Sequence, residues 1–294
     1  MVHREEGTVT DAVVVGVDDS RSARHAAGWA AAIADARGAP LHLVHVGAEA
    51  APRWLTELAA ELGAHVDLAP GPASPDAVVD ALVGRVGTAD LLVLGSHGEG
   101  SAAGLLAGTV AARLAGGTPC PLAVVRGSTP DQQPPSGGPV VVGIDDTETA
   151  GTALDLAAAL ASDLAAPLVV VHAWSDVATG PGGAAHRRTE DWPELAAQGD
   201  AVAARARRRL GAHAPDVEVD VRSVEGTALR TLLDLAVSAR VLVAAPRGAA
   251  RPPSSDDGML LGSTSRGLVG FAPCPVVLAP VRQDGQEHVT DDGP

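Results

Sequence analysis

A short pattern of residues occurs twice in this chain, in the same order and at nearly constant separation. Val13-Val14-Val15-Gly16-Val17-Asp18-Asp19-Ser20 returns as Val140-Val141-Val142-Gly143-Ile144-Asp145-Asp146-Thr147, so Gly16 and Gly143 lie 127 positions apart, as do His45 and His172. Cys120 and Cys274, and Gly108 and Gly262, lie 154 positions apart. Collinear copies with a growing offset mean a duplicated unit in which the second copy has gained residues. Most of the gain precedes Gly248, around Ser175 to Trp192 and in the arginine-rich helix expected after it. The rest lies between Gly248 and Gly262.

Each copy reads as alternating strand and helix. Ala12 to Val17 is a continuous β-branched run of the kind buried in a parallel sheet, and Asp18-Asp19-Ser20 closes it with helix-capping residues. A helix is predicted from about Ser20 to Arg37, stopping at Gly38. A strand follows at Leu41–Val46, an amphipathic segment at Arg53–Leu62 and a weaker strand at His65–Leu68. Ser74-Pro75-Asp76 opens a helix running to about Val86, with Ser at the cap and Pro in the first turn. Asp90 to Leu94 is the next strand, a helix begins at about Gly104 or Gly108 and ends at Leu114, and Leu122–Val125 completes the set. Five alternations predict an α/β fold with an open, mostly parallel sheet and helices on both faces. The divisions are a first domain at 1–128, a linker at 129–137, a second domain at 138–283, and a disordered acidic tail at 284–294.

The 294 residues are long enough for two cores. A net charge of −15 argues against nucleic acid or an anionic membrane as partner. No apolar run approaches the ~20 residues of a membrane span, and the polar N-terminus is unlike a signal peptide. A cytoplasmic protein is expected, with Cys120 and Cys274 as buried thiols. The chain contains no lysine, so a bound polyanion must be held by backbone groups and a few Arg or His side chains.

The strand at Asp90–Leu94 leads into Gly95-Ser96-His97-Gly98, and ten residues after Gly98 stands Gly108-Thr109-Val110. Glycines let backbone N–H groups approach an anion, and a helix start adds partial positive charge. This suits a phosphate cradle, although a strand followed by glycines also serves as a plain tight turn.

With both copies in view, the chain resembles the universal stress protein family in its tandem-domain form. The resemblance rests on the Val-Gly-Val-Asp-Asp-Ser opening, the Leu43-Val44-His45-Val46 strand, the Gly95-x2-Gly98-x9-Gly108-Thr109 loop and the Pro119-Cys120-Pro121 lead-in to the last strand, seen twice with changes. It implies two doubly wound sheets of strand order 3-2-1-4-5, of the adenine nucleotide α-hydrolase-like kind, with ATP between the first and fourth strands. The strand order by itself places a ligand there. Carried over, Asp18 and Val46 line the adenosine pocket, while Gly95, Gly98, Gly108, Thr109 and Val110 wrap ribose and phosphates. Ser96 and His97 sit in the loop and offer side-chain hydrogen bonds. Asp18 also serves as a cap or turn residue, and His45 reads as a strand-end histidine bonded to backbone. Mg²⁺ is expected with the nucleotide, because Glu99 adjoins the loop and no lysine neutralises phosphate. No side-chain cluster suggests a separate metal site.

The second copy departs from this motif. Its loop begins Ala245-Pro246-Arg247-Gly248 and resumes at Gly262-Ser263-Thr264, with an Arg251–Asp257 insertion between. Pro246 has no N–H; if that group faces phosphate in the first copy, its loss costs about 1.5–3 kcal/mol. Ala173 replaces Val46. A weakened or empty second site at Asp145, Ala173, Gly248, Gly262, Ser263 and Thr264 is therefore expected, with Arg247 or Arg266 able to compensate in part.

The leading functional reading is an ATP-binding regulatory protein of the stress response, acting on an unknown protein partner. No catalytic constellation is recognisable, and the loop lacks the Gly-x4-Gly-Lys pattern of common ATPases. The alternatives are a nucleotide-free interaction module, or slow ATP hydrolysis or nucleotidyl transfer through His97, Asp18 and Mg²⁺. The apolar last strands at Pro121–Val125 and Pro275–Leu278 suggest an internal pseudo-dimer, with further pairing into a homodimer allowed.

Overall fold

The structure is a computed structural model, and it describes residues 12–86, 91–98, 108–115, 118–129, 131–175, 177–179, 185–187, 192–246 and 261–280. The predicted tail, Glu99, Gly104, Arg247, Gly248 and the 251–257 insertion lie outside the described residues.

The first copy runs β1 (Val13–Gly16), α1 (Arg21–Arg37), β2 (Leu41–Val46), α2 (Arg53–Leu62), β3 (His65–Ala69), α3 (Pro75–Val86), β4 (Leu91–Gly95), α4 (Thr109–Leu114) and β5 (Leu122–Val125). The second runs β6 (Val140–Ile144), α5 (Glu148–Asp163), β7 (Leu168–Trp174), a hairpin of β8 (Val177–Thr179) and β9 (Ala185–Arg187), then α6 (Trp192–His213) and β10 (Val219–Glu225). It ends with α7 (Ala228–Ala236), β11 (Val241–Ala244), α8 (Ser263–Phe271) and β12 (Val276–Leu278).

Local chemistry sets these bounds. The Ser20 hydroxyl accepts the Ala23 N–H at 3.1 Å, capping α1, and Gly38 ends the helix in the left-handed region at φ 63°. The Ser74 hydroxyl likewise accepts the Ala77 N–H at 3.3 Å where α3 opens on Pro75. Gly108 is the N-cap of α4, which starts at the later of the two expected glycines.

Ten strands form one sheet in the order β10-β7-β6-β11-β12-β5-β4-β1-β2-β3. Each copy therefore has order 3-2-1-4-5, with every pairing parallel inside it. The copies join through β5 and β12, which pair antiparallel with Val276 opposite Val124 and Leu278 opposite Leu122. Successive strand residues alternate between two apolar layers, as a pleated strand buried on both faces requires. Val13, Val15, Leu91 and Val93 belong to the layer that also takes in the buried residues of α1, α2, α5 and α6. Val14, Leu92, Leu94 and Leu122 belong to the other layer, with the buried residues of α3, α4, α7 and α8. Alanines dominate the buried stripe of α1, so its backbone sits close to the sheet.

Two arginines cross the junction. Arg37 on α1 donates from Nε to the Asp163 carboxylate on α5 at 2.7 Å. Arg126, just past β5, is buried and donates from Nη1 to the Gly270 carbonyl of α8 at 2.6 Å.

Candidate functional site

In the first copy the strand order reverses at β1, whose neighbours β2 and β4 lead in opposite directions across the sheet, to β3 at its edge and to β5 at the junction of the copies. Their carboxyl ends leave a crevice there, where an open parallel sheet binds ligands. A cavity of about 590 Å³ occupies it. Asp18 and Val46 border it, as do Gly95, His97 and Gly98 after β4, and Gly108, Thr109 and Val110 at the start of α4. Of the described first-copy residues expected to bind nucleotide, only Ser96 is missing from that wall.

Ser96 lies beneath the loop, completely buried, and anchors it. Its N–H donates to the Val125 carbonyl at the end of β5 at 3.1 Å, and its own carbonyl accepts the Gly108 N–H at 2.7 Å. Its hydroxyl lies 3.1 Å from His97 Nδ1. The next amide, of His97, donates to the Ser22 hydroxyl at 3.4 Å. Ser96 therefore fixes the shape of the loop from behind rather than reaching into the cavity.

The loop is pressed against α1. A Cβ at Gly95 would fall 2.8 Å from the Ser22 carbonyl carbon and 2.9 Å from the Ala23 nitrogen, closer than real contacts allow. A Cβ at Gly98 would meet the Asp18 carboxylate at 2.8 Å. That carboxylate also accepts the Ser20 N–H at 3.1 Å, so Asp18 shapes the turn and borders the cavity at once. Gly108 carries no side chain to cap α4, and no side-chain cap bond forms there. Thr109 and Val110, in the first turn of a helix with no side-chain cap, thus border the cavity.

His45 is held by its Nδ1, 2.9 Å from the Val17 carbonyl. A carbonyl only accepts, so the imidazole donates from Nδ1. His172 repeats the contact with the Ile144 carbonyl at 3.0 Å.

Sequence reasoning missed the wall formed by Ala73, Pro75 and Val78. Ala73 comes from the connection between β3 and α3, residues 70–74, folded against Gly47, whose φ of 110° favours glycine, while Pro75 and Val78 belong to the first turn of α3. In the second copy only Gly226 and Thr227 join β10 to α7. The paired glycines at 47 and 71 and the flanking prolines were the available signal.

The second loop keeps the closing bond, with the Gly262 N–H donating to the Pro246 carbonyl at 2.8 Å. Its proline has a different meaning from the one expected. The N–H that Pro246 lacks corresponds to that of Ser96, which is bonded to strand β5, so the loss removes a strand-end hydrogen bond rather than a phosphate donor. Gly262 caps α8, Ser263 and Thr264 form its first turn, and Ala173 lies in β7. Asp145 borders a different cavity, of about 500 Å³, between α5 and α6. None of the other described second-copy candidates borders it.

Burial pushes the Cys120 thiol up to about 11 and the Cys274 thiol up to about 12, the latter against the opposing pull of the Arg126 charge. Both are free and buried, hence poor nucleophiles. Among the described residues no group of three or more His, Cys, Asp or Glu side chains converges on a metal position. No described helix is long and apolar enough to cross a membrane.

The universal stress protein family model matches residues 10–68, 73–126 and 138–280. A universal stress protein of Mycobacterium tuberculosis is 29% identical over 298 residues, covering 91% of this chain and 95% of its own. One of Mycobacterium bovis is 32% identical over 297 residues, covering 91% and 96%. Among solved structures, a universal stress protein from Archaeoglobus fulgidus superposes with a TM-score of 0.59 at 17% identity, covering 96% of this chain and all of its own, which shows the shared fold. The chain belongs to the universal stress protein family.

Proposed function

We propose that this member of the universal stress protein family is a regulatory nucleotide-binding protein that holds one ATP, with Mg²⁺, in its first copy. The observation that carries this reading is the first-copy cavity, set at the strand-order switch and walled by Gly16, Gly95, Gly98, Gly108 and the start of α4. Its size falls in the range of small-molecule sites, roughly 300–1,000 Å³. The cradle suits a nucleotide. Gly95, Gly98 and Gly108 bring bare backbone to the wall, Val46 and Val78 give an apolar side for a base, and Thr109 and Val110 bring the start of α4 to the cavity, a setting suited to phosphate.

Among the described residues no arginine lines the cavity. Neutralisation of a triphosphate therefore falls to backbone dipoles and to Mg²⁺ carried on the phosphates, with Asp18 the carboxylate at hand. His97 adjoins the cavity, but the Ser96 hydroxyl it meets is completely buried and lies outside the cavity wall, so the pair cannot attack a bound nucleotide, which favours binding over turnover. Occupancy would be felt through the loop, whose anchor at Ser96 is bonded directly to β5 at the junction of the copies.

Calorimetric titration of the full chain with Mg-ATP tests this. One site per chain is expected, lost by roughly a hundredfold or more in Gly98→Trp, where the new side chain displaces Asp18 and fills the cradle. Two equivalent sites, or one site indifferent to that substitution, would overturn the reading. Copurifying ATP in undialysed protein, identified by mass spectrometry of the denatured sample, would strengthen it.

A further inference from the structure

The second copy has opened a cavity where the first is filled, and the filling shows what the opening can take. In the first copy the angle between α1 and α2 is occupied by the indole of Trp54. The Arg24 guanidinium stands over that ring, 5.5 Å from its centroid, and pairs with Asp19. The edge of the same ring meets His45, with centroids 5.3 Å apart. An aromatic ring, a cation and a carboxylate thus fill the space from within the chain.

At the matching positions, 127 residues on, Asp19 becomes Asp146 while Arg24 becomes Gly151. The carboxylate is kept and its cation is gone. The angle between α5 and α6 is now the cavity of about 500 Å³. Ile144, Ala150, Leu154, Val202 and Ala206 give it an apolar floor.

Four charged residues border it, and two of them are engaged. Asp145 accepts the Thr147 N–H at 3.0 Å. Arg209 lies beside Gly151 and donates from Nε to Asp155 at 2.6 Å. Asp146, on the turn before α5, and Arg205, on α6, have no ion-pair partner among the described residues.

We propose that this cavity binds a free amino acid with a flat apolar side chain, its ammonium held by Asp146, its carboxylate by Arg205, and its ring on the apolar floor. A polyanion is disfavoured, since Arg209 is already paired with Asp155, and Arg205, the one open cation among the described residues of the wall, shares the space with Asp145 and Asp146. A zwitterion satisfies both open charges and leaves the local net charge unchanged.

The test uses the full chain and three probes, followed by saturation-transfer NMR and calorimetry: L-tryptophan, tryptamine without the carboxylate, and indole-3-propionate without the ammonium. Tryptophan should bind, with each analogue weaker by roughly tenfold or more, the scale of one lost charge-assisted hydrogen bond. Arg205→Ala and Asp146→Ala, both at exposed positions, should each weaken tryptophan by a similar factor with the circular dichroism spectrum intact, and saturating Mg-ATP should not displace it. Absence of binding at about 10 mM tryptophan, affinity indifferent to both substitutions, or displacement by Mg-ATP would overturn the proposal.

Discussion

The two copies share strand order, a histidine bonded to the first strand and a glycine-capped helix after the fourth, yet their described cavities lie on opposite faces of the sheet. In the first copy the space is at the crevice beside α3 and α4, and the angle between α1 and α2 is plugged by Trp54 and Arg24. In the second, the angle between α5 and α6 is open, and the loop after β11 carries Ala245 and Pro246 where the first has Gly95 and Ser96. A handful of side chains decides where a duplicated scaffold opens, because the backbone supplies several gaps and leaves the choice to whatever fills them.

The largest expected effect is one the copies should share. Both cysteines are buried with thiol pKa values above the ordinary 9.0, at about 11 and about 12. Above that ordinary value the unfolded chain loses protons that the folded chain retains, so stability falls as pH rises. The fall is about 1.4 kcal/mol per pH unit per thiol, continuing until each folded value is reached. Urea unfolding between pH 8 and 11 should show the decline, and Cys120→Ala with Cys274→Ala should flatten it by roughly half for each substitution. A slope borne by one cysteine alone would break the equivalence of the copies.

A smaller effect should separate them. Gly95→Ala forces α1 away from the loop and should cost about 2–3 kcal/mol in urea unfolding, with loss of nucleotide binding. The reverse change, Ala245→Gly, should cost under about 1 kcal/mol, because that loop already accommodates a Cβ. Equal costs would mean that the two loops are under the same constraint.

The smallest concerns how the copies hold together. Arg37 and Asp163 are only 16% and 18% exposed, so Arg37→Ala should lower stability by about 1 kcal/mol. A double-mutant cycle with Asp163→Ala isolates the pair, and additive losses would show that it does not couple the copies.

Much of this was legible in the residues. The repeat and the boundaries at Gly38 and Pro75 follow from residue spacing and capping chemistry, which are local, whereas the strand order is implied by the family resemblance and the choice between Gly104 and Gly108 is made by the fold. The direction of an amide is not local. Whether the N–H at position 96 faces phosphate or Val125 depends on where β5 runs, so the meaning of Pro246 could not be read from a missing N–H alone. The second cavity was half legible, since Gly151 stands 127 residues after Arg24. What that glycine leaves open depends on α6, which is 22 residues long against 10 for α2, and no spacing rule aligns the two. The wall at Ala73 escaped notice because loops of different length in the two copies give a repeat comparison nothing to match.

The joint between β5 and β12 has a consequence for synthesis. Leu122 to Val125 finds its partner about 150 residues later, at Val276 to Leu278. At roughly 5–20 residues per second, the first copy waits on the order of 10–30 s on the ribosome with an apolar strand edge uncovered. Neighbouring nascent chains on one messenger would present that edge to each other, so slow translation of the second copy should raise the yield of strand-swapped dimers.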